Sequence, residues 1–155
     1  MEIRFAKKED LEGINSLLYQ VLEVHHKGRP DLFYGGVKKY TDEEILAILE
    51  DSNSPVFVAV EEGQVLGYAF CIFTEVKGSH ILKDVKTLYL DDLCVDESCR
   101  GKHVGKTLYE HVLAFAKESG CYNVTLNVWS CNESAMGFYK KMGLVPQKTV
   151  LEQIL

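Results

Sequence analysis

Apolar residues recur at intervals of three and four positions in four stretches of the chain, and this spacing is typical of amphipathic helices. The predicted helices run from about Glu9 to just before Gly28, from Thr41 through Leu49, from Gly105 to Gly120, and from Glu133 to Met142. Two of them carry clear end signals. Thr41 and Glu44 form a capping-box pattern at the start of the second helix, and Gly120 is a natural C-terminal stop for the third.

Runs rich in β-branched and aromatic residues predict the strands of the protein. They span Glu2–Ala6, Pro55–Val60, Gln64–Thr74, Thr87–Val95, Asn123–Val128 and Thr149–Leu155. The short turn Glu61-Glu62-Gly63 separates the second run from the third, which predicts an antiparallel hairpin. Because the elements follow the order βααβββαβαβ, we expect an α/β (α+β) fold.

Length and composition are those of an ordinary globular protein. The 155 residues, 46% of them hydrophobic and 26% charged, predict one domain over residues 1–155. No apolar run approaches the roughly 18 residues of a membrane span, and the N-terminus lacks the apolar core of a secretory signal. We therefore expect a cytoplasmic protein without a membrane partner. The net charge of -6 disfavours nucleic acid as a partner and mildly favours cationic ligands.

The cysteines give no sign of a disulfide framework or a metal site. Five are present: Cys71, Cys94, Cys99, Cys121 and Cys131. Their odd number, and the lack of any pair at two-residue separation, argue against a closed set of disulfides. No group of histidines and cysteines has the spacing of metal ligands, so we expect reduced thiols and no metal.

The loop that joins the fourth predicted strand to the third predicted helix is the segment most informative about chemistry. Backbone N–H groups in the first turn of a helix lack intrahelical acceptors and lie at the positive end of the helix dipole. Arg100, Lys102 and Lys106 add positive charge, while Gly101 and Gly105 let the main chain approach a ligand closely. The loop is therefore predicted to bind an anion such as a pyrophosphate, although its spacing fits neither a dinucleotide fingerprint nor a P-loop.

The same loop, Arg100-Gly101-Lys102-His103-Val104-Gly105, resembles the coenzyme A loop of the GNAT superfamily, Arg/Gln-x-x-Gly-x-Gly/Ala. His103 replaces the first glycine of the pair, so a residue with a Cβ must make one close backbone approach. Its ring either points to solvent or reaches a phosphate. The resemblance implies an acetyl-CoA site that includes residues 100–106 and the end of the preceding strand. There Leu93, Cys94 and Val95 would offer a backbone N–H to the thioester oxygen, where a bulge splays two strands apart.

A second motif, Asn132-Glu133-Ser134-Ala135-Met136-Gly137-Phe138-Tyr139-Lys140-Lys141-Met142-Gly143-Leu144, resembles the family pattern Asn-x-x-Ala-x-x-Phe-Tyr-x-x-x-Gly-Phe. Only the last position departs from it. The resemblance implies that Tyr139 contacts acetyl-CoA and donates a proton to the departing thiolate. Two motifs in the right order and separation make a stronger case than either does alone.

Two other residues of this motif have both a structural and a functional interpretation. Asn132 either caps the fourth helix, as Ser130 could, or contacts the pantetheine arm, as the resemblance implies. Ala135 lies on the apolar stripe of the helix, which favours a place in the core. The resemblance also assigns Ala135 to the cofactor contacts.

Leu90-Asp91-Asp92-Leu93 resembles the Leu-Glu-Asp-Ile/Leu stretch of the polyamine (diamine) acetyltransferases within this family. An alkyl amine must lose a proton before it attacks a thioester, and a carboxylate can accept that proton directly or through water. The resemblance implies Asp91 as the base. Because strand residues alternate between faces, we expect Asp91 and Asp92 to point in opposite directions. The alternative is that both face solvent or bind a cationic substrate.

The end of the first helix and its loop, from Tyr19 through Phe33, are predicted to line the acceptor pocket, with His25 and His26 among the substrate contacts. Trp129 is expected to pack rather than to bind. No activated cysteine is identifiable, which favours direct attack by the amine. We expect acetyl transfer from acetyl-CoA to a primary amine of a small molecule. The alternatives are peptide or protein amines and a non-catalytic acyl-CoA sensor, and the resemblance suggests a homodimer.

Overall fold

The computed structural model describes all of residues 1–155 and contains five strands and four α-helices. The strands are β1 (Glu2–Phe5), β2 (Val56–Glu61), β3 (Gln64–Val76), β4 (Val85–Val95) and β5 (Asn123–Thr125). The helices are α1 (Leu11–Gly28), α2 (Asp42–Glu50), α3 (Val104–Glu118) and α4 (Glu133–Lys141). Short 3-10 turns, Lys8–Asp10 and Glu97–Cys99, lie directly before α1 and a few residues before α3.

The strands form one sheet in the order β1-β2-β3-β4-β5. The first three pairings are antiparallel and the pairing of β4 with β5 is parallel. The sheet is therefore mixed and mostly antiparallel, and with the helices on its faces it confirms the expected α/β fold. Strand β5 pairs with β4 only from Thr87 to Tyr89, so the remainder of β4 has no neighbour on that side. A gap therefore opens between the two strands, as expected for an acetyl-CoA site of this family.

The sheet separates two apolar clusters. On one face, α3 places Leu108 and Val112 against buried residues of β3 and β4. On the other face, α1 and α2 cover the sheet with Leu17, Leu18 and Ile45, which are almost fully buried. All four predicted helices are confirmed because each has an apolar face that one of these layers can bury or partly bury.

The predicted capping box of α2 is confirmed in detail. Thr41 Oγ1 accepts a hydrogen bond from the Glu44 backbone N–H at 3.2 Å, and the Thr41 N–H donates to Glu44 Oε2 at 2.8 Å. These two bonds satisfy donors that the helix itself leaves without acceptors. They fix the start of α2 and, with it, the residues directly before it.

Two predicted strands differ from the structure. Thr149–Leu155 forms no strand and makes no backbone hydrogen bond within the chain. Strand β5 ends at Thr125 and does not continue to Val128. The observed order is therefore βααβββαβα. Alternating apolar residues favour an extended backbone, but a strand also needs a hydrogen-bonded neighbour, and residues 149–155 pair with none in this structure.

Candidate active site

A β-bulge in β4 turns two consecutive aspartates to the same face of the sheet. Phe70 of β3 pairs with Asp92 and Cys71 pairs with Leu90, so Asp91 is the extra residue between them. The side chain of Leu90 packs in the cluster on the α3 side, whereas both aspartates are hydrogen-bonded by tyrosines on the α1 side. The expectation of opposite faces is wrong because a bulge resets the alternation of side chains. The bulge at Asp91 also lies before the stretch from Leu93 to Val95, where the resemblance led us to expect it.

Asp91 is held by two donors on one carboxylate oxygen. The Tyr40 hydroxyl donates to Asp91 Oδ2 at 2.5 Å, and Lys39 Nζ lies 2.7 Å from the same atom. Burial and the adjacent carboxylate raise the pKa of Tyr40, so this phenol stays protonated and keeps donating. Both donors bind Oδ2, so Oδ1 is the oxygen of Asp91 that has no hydrogen-bond partner in the structure.

Asp92 lies in a different environment. Its Oδ2 accepts one hydrogen bond, from the Tyr68 hydroxyl at 2.9 Å. Burial raises the pKa of Asp92 to about 6; the charge of Asp91 adds to that rise, and Lys39 and the Tyr68 hydrogen bond oppose it. A carboxyl group that titrates near neutral pH can take up and release a proton under working conditions. Asp92 therefore fits a general base better than Asp91 does.

Tyr139 projects from α4 toward this site. Its ring packs edge-on against Tyr109 and Phe138, with centroid distances of 6.1 and 5.2 Å. Burial raises the pKa of the Tyr139 hydroxyl, and the charge of Asp92 raises it further. At neutral pH the phenol is protonated and can act as a proton donor.

The end of β4 presents backbone groups to the gap. The Asp96 N–H donates to the Leu66 carbonyl of β3 at 2.8 Å, which fixes the alternation of bonded and non-bonded residues along this antiparallel pair. In that alternation, the N–H and C=O groups of Leu93 and Val95 point away from β3. They therefore face the side on which β5 has separated from β4.

Cys94, between these two residues, faces the other way. Its side chain is buried on the α1 side, where its Sγ lies 3.5 Å from the Leu17 carbonyl oxygen. Burial raises the pKa of the Cys94 thiol to about 12, and the pKa of the Cys71 thiol likewise to about 12. Both remain protonated at neutral pH, so neither is an activated nucleophile.

The loop before α3 adopts a left-handed backbone at two positions. Gly101 has φ +83°, and no atom lies within 4 Å of the place where its Cβ would be. His103, the N-cap of α3, has φ +62° with an exposed side chain. A non-glycine residue with a left-handed backbone costs roughly 1–2 kcal/mol. This cost explains why the family motif has glycine at the position of His103.

The first turn of α3 leaves three N–H groups without helical acceptors. The first intrahelical bond runs from the Thr107 N–H to the His103 carbonyl at 3.0 Å, so the earlier amides are free. They belong to Val104, Gly105 and Lys106. The first turn contains no acidic residue, and the side chains of Arg100, Lys102 and Lys106 are exposed around it. This combination suits a diphosphate.

Asn132 caps α4. Its Oδ1 accepts a hydrogen bond from the Ala135 N–H at 3.1 Å, so the capping interpretation is confirmed and Ser130 is not the cap. The amide nitrogen of Asn132 takes no part in this bond and can still donate to a ligand. Ala135 is half-buried on the same first turn.

The two predicted substrate histidines have different surroundings. Both lie in the last turns of α1 and are half-buried. His26 Nδ1 donates to the Phe33 carbonyl at 2.7 Å and so fixes the loop after the helix. His25 packs on the Phe33 ring at 5.1 Å, and burial together with the charge of Lys39 lowers its pKa. His25 therefore belongs to the neighbourhood of the aspartates.

Trp129, which follows the end of β5 at Thr125, contacts the same group of side chains. It meets the Phe33 ring edge-on at 5.3 Å, and the Arg29 guanidinium lies 6.0 Å from its ring centroid. Trp129 thus packs on Phe33, but 40% of it remains exposed, so the structure leaves the choice between packing and binding open. With His25 and Lys39, these side chains form what we call the acceptor cluster.

Three residues of the site were not predicted from the sequence: Lys39, Tyr40 and Tyr68. They belong to no motif and lie 24 to 52 positions from the aspartates that they contact. The register of β3 against β4 would have identified Tyr68. The other two directly precede the capping box of α2, and only the packing of α2 brings them to the aspartates.

No helix has both the length and the apolar character that crossing a membrane requires. No group of three or more His, Cys, Asp and Glu side chains is arranged to hold a metal ion.

Known proteins resemble this chain over most of its length. A crystal structure of a mutant BH1408 protein from Bacillus halodurans superposes with a TM-score of 0.96 at 30% identity, covering 100% of this chain and 99% of that chain. The peptidyl-lysine N-acetyltransferase YjaB of Escherichia coli is 28% identical over 92% of this chain and 81% of its own length. A probable glucosamine 6-phosphate N-acetyltransferase of Oryza sativa is 29% identical over 67% of this chain.

The match to the rice relative spans about half of that protein's length, 55%. The model of the Acetyltransferase (GNAT) family matches residues 18–144, a range that includes both motifs, the bulged strand and the helix that carries Tyr139. The chain therefore belongs to the GNAT family of acetyltransferases.

Proposed function

We propose that this chain transfers the acetyl group of acetyl-CoA to a primary amine of a small molecule by direct attack, within one domain formed by residues 1–155. The observation that carries the proposal is the pairing of a carboxyl group of raised pKa with a protonated phenol. Burial raises the pKa of both groups, and the charge of Asp92 adds to the rise in the pKa of Tyr139. Acetyl transfer to an amine needs one proton removed and one supplied, and these groups are suited to the two tasks.

The residues present fit acetyl-CoA. When bound, this cosubstrate supplies a thioester with an activated acyl carbon and a thiolate leaving group. The free amides of residues 104–106 and the cations around them would hold the pyrophosphate. Leu93 and Val95 would direct backbone N–H groups to the thioester oxygen and to the pantetheine arm, and the Asn132 amide is placed to assist.

Asp92 is proposed as the base that accepts the proton of the ammonium, directly or through water. This reverses the assignment to Asp91 that the resemblance implied. Asp91 is instead proposed to bind the acceptor, because a substrate ammonium can replace Lys39 Nζ beside its carboxylate. The proton for the departing thiolate is proposed to come from the Tyr139 hydroxyl.

A small cationic amine fits the acceptor cluster best. Asp91 and Asp92 lie side by side, Tyr40 is hydrogen-bonded to Asp91, and Phe33 and Trp129 contact each other edge-on. Carboxylates attract ammonium groups by charge, and aromatic rings attract them by cation–π contact. The relatives' names point to amines of different kinds, an amino sugar phosphate and peptidyl lysine. These are the acceptor classes to test together with diamines and polyamines.

The direct experiment is a measurement of acetyl-CoA consumption by the purified chain with panels of diamines, amino sugars and lysine peptides. We expect stoichiometric release of free thiol and a mass increase of one acetyl group on at least one small amine. Asp92→Asn and Tyr139→Phe are the matched controls, since both preserve shape and remove the proton chemistry. Binding of acetyl-CoA without turnover of any amine would contradict the proposal and favour a sensor; acetylation of peptides alone would contradict the acceptor class.

A further inference from the structure

An ammonium group of the chain itself occupies the place proposed for the acceptor amine. Lys39 Nζ lies 2.7 Å from Asp91 Oδ2, and the Asp91 side chain is only 14% exposed. Asp92, the proposed base, is the next residue of β4, and the bulge turns both carboxyl groups to the same face of the sheet. An alkyl ammonium has the charge and the chemical type of the proposed substrate. Lys39 is therefore bound as a substrate amine would be.

The order of residues before α2 brings Lys39 to this position. The Tyr40 hydroxyl donates to the same oxygen of Asp91, and its ring stacks on Phe70 of β3 at a centroid distance of 5.5 Å. Thr41 then caps α2. Because Tyr40 is fixed on the sheet, the residue before it reaches the same carboxylate, and Lys39 Nζ also lies 5.2 Å from the Tyr40 ring centroid.

The backbone around Lys39 is held by few contacts. Residues 34–40 form no helix or strand, and their N–H and C=O groups make no hydrogen bond with other backbone groups. The Lys39 side chain is 39% exposed and ends a flexible alkyl stem. A small shift of this segment can therefore carry the ammonium from Asp91 toward Asp92 without breaking regular structure.

The neighbouring lysine has partners outside the site. Lys38 Nζ donates to Asn15 Oδ1 at 2.6 Å and pairs with Asp42 at the start of α2. Both lysines thus pair with a carboxylate, but only Lys39 pairs with one of the two adjacent aspartates. Lys38 is for this reason a matched control for Lys39.

We propose that Lys39 is a self-acetylation site, and that the chain transfers the acetyl group of acetyl-CoA to Lys39 Nζ when no other acceptor is present. This inference rests on the proposed function. The Lys39 ammonium gives one proton to Asp92, and the resulting amine attacks the thioester carbonyl carbon. A C–N bond forms as the C–S bond breaks, and the departing thiolate takes the proton of Tyr139. The second proton that the nitrogen loses restores the phenol through solvent, and Asp92 returns its proton to water.

Acetylation of Lys39 opens the site to other amines. The modified Nζ is a neutral amide nitrogen, so the charge that competes with a substrate ammonium for Asp91 is removed. A chain acetylated at Lys39 therefore binds a cationic acceptor more tightly than the unmodified chain does. Self-acetylation is a first turnover that prepares the site for the next amine.

The test is mass spectrometry of the full chain after incubation with acetyl-CoA and no added amine. We expect one acetyl group, located at Lys39 by peptide mapping, before any other lysine is modified. Uncatalysed acetylation follows exposure instead, and it would modify Lys8 and Lys77, whose side chains are each 71% exposed, ahead of Lys39 at 39%. The rate per chain should not change on dilution, because the reaction takes place within one chain.

Three variants separate catalysed from uncatalysed modification. Tyr139→Phe should slow acetylation at Lys39 by about 10²-fold, the usual contribution of a general acid. Lys39→Arg keeps a positive charge beside Asp91 and should remain unmodified. Lys38→Arg, the matched control, should be acetylated at Lys39 as fast as the unaltered chain.

The effect on acceptor binding has its own measurement. Calorimetry with putrescine, in the absence of acetyl-CoA, should give a Kd severalfold lower for Lys39→Gln than for Lys39→Arg, because glutamine is neutral like the acetylated lysine. Equal affinities would overturn the role of Lys39 in opening the site.

Other results would overturn self-acetylation itself. These are modification in the order of exposure, an unchanged rate at Lys39 in Tyr139→Phe, and a rate per chain that falls on dilution. If the chain acetylates a small amine but leaves Lys39 unmodified, this inference fails and the proposed function stands. If neither the amines nor Lys39 are acetylated, the proposed function fails as well.

Discussion

The two halves of the active site are built in different ways. The cofactor half consists of consecutive residues: one loop, the first turn of α3 and the last residues of β4. The acceptor half is assembled from side chains of α1, β3 and β4, from residues between α1 and α2, and from the end of β5. Asp92, for example, is hydrogen-bonded by Tyr68, which is 24 positions away.

This difference separates backbone recognition from side-chain recognition. The cofactor half offers mostly amide groups, so it depends on φ and ψ values and tolerates a change such as the one at His103. The acceptor half offers carboxylates, a phenol and an ammonium group, so its chemistry changes with single side chains. Substitutions should therefore affect the two halves through different kinetic parameters.

Tyr139→Phe should have the largest effect among the following tests. Loss of a general acid typically costs a factor of about 10² or more in rate, so kcat should fall by at least that factor. Binding of acetyl-CoA should change little, because the ring and its packing remain. Tyr109→Phe is the control, since this ring packs on Tyr139 without a proposed proton role. Steady-state kinetics with calorimetric binding measures both; unaltered turnover in Tyr139→Phe would remove it from the mechanism.

Gly101→Val tests the backbone character of the cofactor half. A β-branched residue at φ +83° is strained by roughly 1–2 kcal/mol, which should raise the KM for acetyl-CoA about tenfold as the loop shifts. The kcat at saturation should stay close to that of the unaltered chain. Gly78→Val, at φ +64° in the loop between β3 and β4, controls for strain alone. A fall in kcat with an unchanged KM would argue against the division into halves.

Lys39→Met tests the acceptor half. Removing the Lys39 ammonium frees Asp91 for a substrate ammonium. The KM for a cationic acceptor should therefore fall severalfold, while the KM for acetyl-CoA stays constant. Because Lys39 lowers the pKa of Asp92, that pKa should rise and the acid limb of the activity profile should move to higher pH. Lys38→Met, whose lysine pairs with Asp42, is the control. If neither the KM for the acceptor nor the pH of the acid limb changed, the proposed role of Lys39 would be contradicted.

His103→Gly should have the smallest effect. Glycine removes the strain of a left-handed backbone, which should raise the free energy of unfolding by about 1 kcal/mol. The greater entropy of glycine in the unfolded chain reduces this gain. Urea denaturation measures this change. The KM for acetyl-CoA should stay within about twofold if the ring points to solvent. A clear rise in that KM would show instead that the His103 ring reaches a phosphate.

The sequence alone predicted the features that depend on neighbouring residues, including the cofactor half of the site. It misjudged the acceptor half, which is assembled from distant residues. The helices and the capping box at Thr41 depend on neighbours within a few residues, so their patterns were sufficient. At Asn132 the pattern left capping and cofactor contact open. The bulge at Asp91 reversed the expected faces because it depends on register with β3. The strand predicted at Thr149–Leu155 failed for a related reason, since strand pairing needs a partner that the segment's own sequence cannot supply.

The central claim, that Asp92 is the base, is tested most directly by the pH dependence of kcat/KM for three proteins. The unaltered chain should show activity that rises with pH through an apparent pKa of about 6, because Asp92 must be ionised to accept a proton. Asp92→Asn should lose this limb and about 10²-fold or more in rate. Asp91→Asn should keep the limb at a lower pH, since the charge of Asp91 raises the pKa of Asp92. A limb that survives in Asp92→Asn and vanishes in Asp91→Asn would contradict the account.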